Sequence, residues 1–320
     1  MAAAEANAIA LREIFAGLNA KAALPKLLET IGAWRPDLIV RDSAEFGAAV
    51  AADRAGVLHA RVAVHMVSFE DQFPALVAEP IDKLRRDAGL PPDAAAFLRS
   101  EPVFTAFPAS LDGPADERAR MPVPFRVRHV EEAPSAAPAP WGRPTGDSRP
   151  LVYVTFGTVA GGSPGVRSVY RTALEAIASL PVRALLTTGR GMEGGTLGTI
   201  PANVHVEEWV PQRDVVAHAS ALVCHGGSGT VRGALAAGVP MVVVPLFADQ
   251  PHNARRVAAL GAGIASTDPD AASLGAAVER VLADAEFARG ARRIADEIAA
   301  LPPVDAAVAA LVAMLEKETR

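Results

Sequence analysis

Hydrophobic residues along the chain fall into short runs, and segments with a helical spacing of apolar residues separate them. The runs are rich in Val, Leu and Ile without alternation, which is typical of strands buried on both faces of a parallel sheet. After residue 150 this pattern predicts strands at 151–156, 182–187, 204–206, 221–224 and 241–244. Helices are predicted between and after them, at 166–179, 212–218, 230–237, 250–260, 274–282 and 304–317. This alternation predicts an α/β fold.

The first part of the chain follows the same alternation less regularly. The spacing of apolar residues predicts an amphipathic helix over 1–19 and a second helix over 24–31. Strands are predicted at 38–40 and 60–67, with a helix at 46–55 between them. A strand–helix–strand order of this kind also indicates a parallel sheet.

A stretch rich in proline and alanine separates the two parts. Residues 131–150 show no apolar period, and this composition predicts an extended linker. We therefore expect a first domain over 1–130 and a second over 151–300. A terminal helix within 301–320 is expected to pack back on the first domain.

Composition and charge narrow the classes of function. The chain has 320 residues, of which 50% are hydrophobic and 21% charged, so it can bury a sizeable core. A net charge of −5 without a basic block argues against nucleic-acid binding. The single cysteine, Cys224, excludes a disulfide framework and a cysteine-rich metal site. No run is long enough to span a membrane and no export signal is visible, so a cytoplasmic protein is expected.

Two glycine-rich turns follow predicted strands and leave their role open. Residues 189–194 match the dinucleotide fingerprint G-x-G-x-x-G, but Gly198 and Pro201 follow and no helix can begin there. A loop is the better interpretation. Residues 157–162 lie between a strand and a helix, where ligands bind in open α/β sheets, or they form an ordinary connection.

A third turn carries more chemistry. Residues 225–230 read His-Gly-Gly-Ser-Gly-Thr and connect the strand ending at Cys224 to a predicted helix. Glycines let the backbone approach an anion, and the free amides of a helix start can donate to phosphate oxygens. The alternative is a tight turn without a ligand. The lack of a following lysine excludes a Walker loop.

Two neighbouring motifs favour the ligand-binding interpretation. Trp-Val-Pro-Gln at 209–212 precedes the turn, and Asp-Gln-Pro-His-Asn at 249–253 follows it. With this order of motifs the sequence resembles the nucleotide-sugar-binding half of family-1 GT-B glycosyltransferases, in particular actinobacterial enzymes that glycosylate macrolides and other natural products. The resemblance covers 150–300 and, more loosely, 20–70. It implies two Rossmann-like domains facing a cleft, the first of them incomplete.

The resemblance also implies a reaction. Such a protein would be an inverting UDP-glycosyltransferase-like enzyme that moves a hexose or deoxyhexose from a UDP- or dTDP-sugar to a hydroxyl of a small hydrophobic acceptor. Neither a cofactor nor a metal ion is implied. The Asp-Pro-Asp string at 268–270 resembles a metal-binding D-x-D pair, but Asp270 is more simply the cap of the next helix. A homodimer is left open.

The resemblance assigns a role to each motif residue. Trp209 would stack on the base, Val210 would read its edge through the backbone, and Gln212 would lie against the nucleoside. Relatives often carry glutamate where Gly233 stands, which favours a deoxyribose donor here. The remaining residues would hold the diphosphate (His225, Gly227, Ser228, Gly229, Thr230 and Thr158) and the sugar hydroxyls (Asp249 and Gln250).

The catalytic base is the point at which the sequence departs from the family. Relatives use a histidine in an early Gly-His loop, oriented by an aspartate that matches Asp42, but this chain has no Gly-His dipeptide. We therefore expect the first strand–helix units to be missing, through a misassigned start or a truncated gene. Asp42 could instead cap the following helix. His65 could line the acceptor pocket, or it could have only a structural role in the predicted strand.

Because this histidine has no counterpart, two functions other than sugar transfer stay open. One is a catalytically impaired nucleotide-sugar-binding protein or auxiliary subunit. The other, more distant, is a sugar-nucleotide epimerase on a related fold.

Overall fold

A computed structural model describes residues 3–118, 123–129, 146–158, 164–192, 197–267 and 269–318. The chain divides into two compact units. One holds residues 1–130 together with 301–320, and the other holds 131–300. Most of the predicted linker at 131–150 lies outside the described residues.

The described residues of the first unit form a four-stranded parallel sheet in the order β1-β2-β3-β4. Its strands are β1 (Leu38–Asp42), β2 (Leu58–Ala63), β3 (Val103–Thr105) and β4 (Phe125–Arg126). Its helices before residue 130 are α1 (Ala3–Ile9), a π-helical segment (Ala10–Asn19), α2 (Ala20–Trp34), α3 (Phe46–Ala55), α4 (Val67–Glu70), α5 (Phe73–Leu76), α6 (Ala78–Asp87), α7 (Ala94–Ser100), a 3₁₀ turn (Ala109–Asp112) and α8 (Ala115–Arg118).

The amphipathic helix predicted over 1–19 is helical but not a regular α-helix. Its second part is π-helical, and the amide of Ala20 donates to the carbonyl of Phe15, five residues earlier. Leu11 and Ala16 pack into the same core as Phe46 of α3. The apolar pattern predicts which face is buried, but it does not distinguish the two helix types.

The strand predicted at 60–67 is wrong in its second half. β2 ends at Ala63 and α4 begins at Val67. Between them the amide of His65 donates to the buried carboxylate of Glu70 at 3.0 Å. This bond turns the chain out of the sheet, because the amide is taken by a side chain instead of a neighbouring strand.

The described part of the second unit forms a six-stranded parallel sheet in the order β10-β9-β8-β5-β6-β7. Its strands are β5 (Leu151–Thr155), β6 (Arg183–Thr187), β7 (Val204–Glu207), β8 (Ala221–Cys224), β9 (Met241–Val243) and β10 (Gly263–Ala265). Its helices are α9 (Pro164–Ala178), α10 (Gln212–Val216), α11 (Ser228–Ala236), α12 (Gln250–Ala259), α13 (Ala271–Ala283) and α14 (Ala285–Ala299). The five predicted strands and five of the helices are confirmed, whereas β10 and α14 were not predicted.

The order of these strands creates a crevice at the centre of the sheet. From β5 the chain continues outward to β6 and β7, then returns to place β8 on the other side of β5. Loops on opposite sides of such a switch point diverge and leave room for a ligand at the carboxyl ends of the strands. The loops that follow β5 and β8 carry two of the three glycine-rich turns.

The C-terminal helix belongs to the first unit. α15 (Val304–Glu318) brings Ala307 into a core cluster with Ala60, Phe104 and Val127. The amide of Arg128 donates to the carbonyl of Pro302 at 2.7 Å. Within the described ranges, none of the helices combines the length and the apolar character that crossing a membrane requires.

Candidate functional site

The loops after β5 and β8 meet around the imidazole of His225. A β-carbon on Gly157 would stand 3.0 Å from Nε2 of His225, and one on Gly227 would stand 2.5 Å from it. Gly157 also has a φ of +95°, which side chains rarely adopt. Both glycines are therefore required for the histidine to pack between the two loops. Of the predicted turn at 157–162, only Gly157 and Thr158 are described.

The start of α11 presents free backbone donors beside this histidine. Gly227 is the N-cap residue in an extended conformation, and no side chain caps the helix. Ser228, Gly229 and Thr230 form its first turn, whose amides have no partner within a helix. The positive end of the helix dipole adds to these donors. The geometry suits an anion, as the turn at 225–230 predicts.

His225 is almost enclosed, and only 9% of its surface is exposed. Burial lowers the pKa of this histidine, while the charge of Asp249 and the polar backbone of Thr155 oppose the shift. Its buried Nδ1 atom makes no hydrogen bond. A neutral imidazole is therefore favoured next to the start of α11.

A pocket lies beside the turn at 225–230, and five residues that the sequence predicts for donor binding line it. Trp209 is 59% exposed, so its indole face is available for stacking and does not serve the core. The pocket is lined by Thr158, Trp209, Val210, Gln212 and Thr230, and in addition by Tyr153, Thr155, Gly157, Thr187, Gly189 and Glu208.

Three of the additional residues give the pocket a floor of buried hydroxyls. The Tyr153 hydroxyl lies 3.2 Å from Oγ1 of Thr187, and Thr155 stands in register with Thr187 on the adjacent strand. Burial raises the pKa of Tyr153. Sequence reasoning assigned these residues to the sheet alone. Their polar groups at the carboxyl ends of two strands were the available indication of a site.

Gln212 is held across the pocket by α11. Its Nε2 atom donates to the carbonyl of Thr230 at 3.1 Å. A β-carbon on Gly233 would stand 2.5 Å from the same nitrogen. The absence of a side chain at Gly233 thus leaves the space that the Gln212 side chain fills.

Asp249 is buried and connects to the turn at 225–230. Its Oδ2 atom accepts hydrogen bonds from Oγ of Ser228 and from Nδ2 of Asn253, both at 2.6 Å. The preceding residue, Ala248, has a φ of +55°, a strained conformation for alanine. Such strain persists only where the surroundings enforce it, as they do next to this network.

Gln250 and Asn253 hold the loop and the turn in place. Oε1 of Gln250 accepts from the amides of Leu246 and Phe247 at 2.8 and 2.9 Å, so a sugar contact by Gln250 would use Nε2. Asn253 is fully buried, and its Nδ2 atom also donates to the carbonyl of Gly226 at 2.8 Å. Asn253 belongs to the third motif, but no pattern in that motif indicated this role.

The loop at 189–194 contributes Gly189 to the pocket and also supports the loop after β5. A β-carbon on Gly189 would stand 2.5 Å from the carbonyl oxygen of Gly157, and the amide of Arg190 donates to the carbonyl of Thr158 at 3.0 Å. The described part of this loop therefore supports the loop after β5 and opens no helix. Residues 193–196 lie outside the described part.

Asp42 ends β1 in the first unit and is exposed. Its Oδ1 atom accepts from the amide of Ala44 at 2.6 Å. Asp42 does not cap α3, because the Glu45 carboxylate accepts from the amide of Ala48 and takes that role. The capping alternative for Asp42 is therefore wrong.

A buried carboxylate lies next to Asp42. Glu70 is fully buried, and its Oε1 accepts from Oγ of Ser43 at 2.6 Å and lies 3.2 Å from Nδ1 of His65. Arg61 contacts Oε2 of Glu70 at 3.2 Å and balances its charge. The loops after β1 and β2 are thus joined through one side chain. His65 belongs to the loop that follows β2, and its ring is a quarter exposed.

The second aspartate of the D-x-D string is a helix cap. Oδ1 of Asp270 accepts from the amide of Ser273 at 2.7 Å, and this bonding lowers the pKa of Asp270. Asp268 lies outside the described residues. Across the part of the chain that the structure describes, no three His, Cys, Asp or Glu side chains cluster as a metal site would require.

Known proteins resemble this chain in sequence. Residues 172–314 match the family "Erythromycin biosynthesis protein CIII-like, C-terminal domain". The elloramycin glycosyltransferase ElmGT of Streptomyces olivaceus is 35% identical, with 86% of this chain and 68% of that protein aligned. The demethyllactenocin mycarosyltransferase of Streptomyces fradiae is 34% identical over 70% of this chain. The chain spans about half of that second protein, 49% of its length.

Solved structures resemble it in fold. The glycosyltransferase SnogD from Streptomyces nogalater superimposes with a TM-score of 0.76 at 29% identity, covering 95% of this chain and 82% of SnogD. The spinosyn rhamnosyltransferase SpnG complexed with thymidine diphosphate gives 0.78 at 27% identity, covering 98% and 80%.

Proposed function

Because this chain belongs to the family of actinobacterial natural-product glycosyltransferases, we propose that it transfers a sugar from a nucleoside diphosphate to a hydroxyl of a small hydrophobic acceptor. The GT-B fold of two Rossmann-like units that the resemblance predicts is confirmed by the solved glycosyltransferases. The observation that carries the proposal is the uncapped start of α11 beside the exposed Trp209.

The donor that fits these features is a pyrimidine nucleoside diphosphate sugar. The indole of Trp209 offers a flat face to a base, and the first turn of α11 offers amides to a diphosphate. A dTDP-sugar is favoured over a UDP-sugar, because Gly233 has no side chain with which to bind a ribose 2′-hydroxyl. The SpnG structure complexed with thymidine diphosphate supports this preference.

The chemistry that we propose is a direct displacement with inversion. The acceptor oxygen attacks the anomeric carbon as the bond from that carbon to the diphosphate oxygen breaks. The electron pair of that bond stays on the departing nucleoside diphosphate, and the acceptor proton passes to the carboxylate of Asp42. Donors at the start of α11 would stabilise the charge that grows on the leaving group without a metal ion.

The acceptor side of the reaction is assigned to the first unit. Asp42, exposed at the carboxyl end of β1, is proposed to take the acceptor proton itself, since the histidine that this aspartate orients in relatives has no counterpart in the sequence. A small hydrophobic acceptor is supported by SpnG, which was also solved complexed with spinosyn aglycone, at 26% identity.

Calorimetry and a transfer assay test the proposal together. We expect dTDP and UDP to bind, with dTDP the tighter, and EDTA to leave both affinities unchanged. Incubation with dTDP-glucose or UDP-glucose and a panel of polyketide and aromatic aglycones should then yield glycosides, and Asp42→Asn should lower their rate of formation. Binding without any transfer would favour the auxiliary-protein alternative, and no binding of either nucleotide would overturn the proposal.

A further inference from the structure

One hydroxyl hydrogen joins the two halves of the proposed donor site. Ser228, the first residue of α11, donates through Oγ to Oδ2 of Asp249 at 2.6 Å. Ser228 belongs to the proposed diphosphate subsite and Asp249 to the proposed sugar subsite. A serine hydroxyl carries a single hydrogen, so Ser228 cannot donate to Asp249 and to a phosphate oxygen at the same time.

Asn253 keeps Asp249 in place whichever way Ser228 points. Its Nδ2 atom donates to the same Oδ2 atom at 2.6 Å and to the carbonyl of Gly226 at 2.8 Å. Asn253 is fully buried and Asp249 is 6% exposed. If Ser228 turns away, Oδ2 keeps one donor and loses the other. A buried carboxylate oxygen that loses a donor costs free energy unless another donor replaces it.

We propose that a bound diphosphate takes the hydrogen of Ser228, and that a hydroxyl of the donor sugar then replaces Ser228 as the donor to Asp249. The inference rests on the proposed function and extends it. An intact sugar donor supplies both the phosphate oxygen and the replacement hydroxyl. A nucleoside diphosphate product supplies only the first and leaves Asp249 with one donor fewer. The exchange therefore makes the nucleoside diphosphate product bind more weakly than the sugar donor, and this assists release of the product.

A cycle of variants tests this exchange with dTDP and dTDP-glucose as calorimetric probes. Asp249→Ala removes the acceptor that competes with phosphate for the hydrogen of Ser228. The affinity for dTDP should therefore rise about fivefold, the equivalent of one hydrogen bond. The same variant should weaken dTDP-glucose. Asp249→Asn is the matched control, because it removes the charge that repels a diphosphate but keeps an oxygen that accepts from Ser228. It should tighten dTDP less than Asp249→Ala does.

The serine supplies the second arm of the cycle. In a Ser228→Ala background, Asp249→Ala and Asp249→Asn should change dTDP affinity equally, because there is no hydroxyl to release. Ser228→Thr keeps a hydroxyl and should restore the difference. If thermal unfolding shows that Asp249→Ala is not folded, Asp249→Leu replaces it. Leucine is similar in size to aspartate and, like alanine, has no side-chain atom that accepts a hydrogen bond.

The outcomes separate the two proposals. If the wild-type chain binds neither dTDP nor UDP, the proposed function fails and this inference fails with it. If the wild type binds dTDP but Asp249→Ala gives no gain over Asp249→Asn, the exchange is refuted and the proposed function stands. A gain of equal size in the Ser228→Ala background refutes it as well, since the gain would then come from charge alone.

Discussion

The ring of His225 occupies the space that a side chain on Gly227 would need. A β-carbon there would lie 2.5 Å from Nε2 of the histidine, closer than real contacts allow. The ring also packs against Gly157 in the loop after β5, where a β-carbon would lie 3.0 Å from the same nitrogen. Glycine at 227 is thus set by packing within the turn as well as by any need to approach a phosphate.

We expect Gly227→Ala to lower the free energy of unfolding by about 1–3 kcal/mol, the usual cost of overpacking, and to weaken dTDP binding by moving His225. Urea unfolding and calorimetry measure the two effects. Gly229→Ala is the matched control for stability, because nothing lies within 4 Å of a β-carbon at Gly229. Equal unfolding free energies for the two variants would contradict the packing argument.

Trp209→Ala should weaken dTDP binding by about 1–3 kcal/mol, the loss of one stacked base, and leave the unfolding free energy nearly unchanged. The indole is 59% exposed, so little packing is lost with it. Trp34, 78% exposed in the first unit, provides the comparison. Calorimetry should show wild-type affinity for Trp34→Ala, and an equal loss in both variants would remove Trp209 from the site.

Gly233→Ala should displace the Gln212 side chain and break its bond to the carbonyl of Thr230. The atom that must move is the end of a flexible side chain, so we expect little change in unfolding free energy. The affinity for dTDP should fall about as much as in Gln212→Ala. In the double variant the two losses should not add, because both act through the same side chain. Additive losses would separate Gly233 from Gln212.

Glu70→Ala should destabilise the first unit by about 3–5 kcal/mol, because it leaves Arg61 buried without its partner. The exposed pair of Lys83 and Asp87 offers a control of the same type, and Asp87→Ala should cost far less. Urea unfolding of both variants makes the comparison. A small loss for Glu70→Ala would show that Arg61 finds water or another partner.

Stability should fall as the pH drops from about 6.5 towards 4. Burial, together with Arg255 and Arg256, lowers the pKa of His252 from 6.5 to about 4. Between these values the unfolded chain binds a proton that the folded chain does not, so acid favours unfolding. The lowered pKa of His225 acts in the same direction.

Urea unfolding at pH 7.5 and pH 5 measures this loss of stability. The difference in unfolding free energy between pH 7.5 and pH 5 should be smaller for His252→Gln than for the wild type. The substitution should change the unfolding free energy less at pH 7.5 than at pH 5. An unchanged difference would mean that other groups cause the acid sensitivity.

Most elements of the second unit, and the place of its candidate site, could be predicted from sequence patterns alone. The inner strands β5, β8 and β9 are rich in Val and Leu without alternation, which is typical of strands covered on both faces of a sheet, whereas the edge strand β7 reads Val-His-Val-Glu. The motifs at 209–212, 225–230 and 249–253 follow strands, so their place at one edge of the sheet could be predicted. The short strands β3 and β4 were missed because three and two residues carry no period.

Which atoms of these motifs meet depends on the folded arrangement of the strands and loops. Ser228 reaches Asp249, Gln212 reaches Thr230, and Tyr153 reaches Thr187, although 18 to 34 residues separate the partners. None of these contacts follows from local pattern. They depend on the order of the strands, which sets β8 beside β5 and brings together loops that are distant along the chain. Sequence periodicity records burial, whereas hydrogen bonds between loops require the positions that only the assembled sheet fixes.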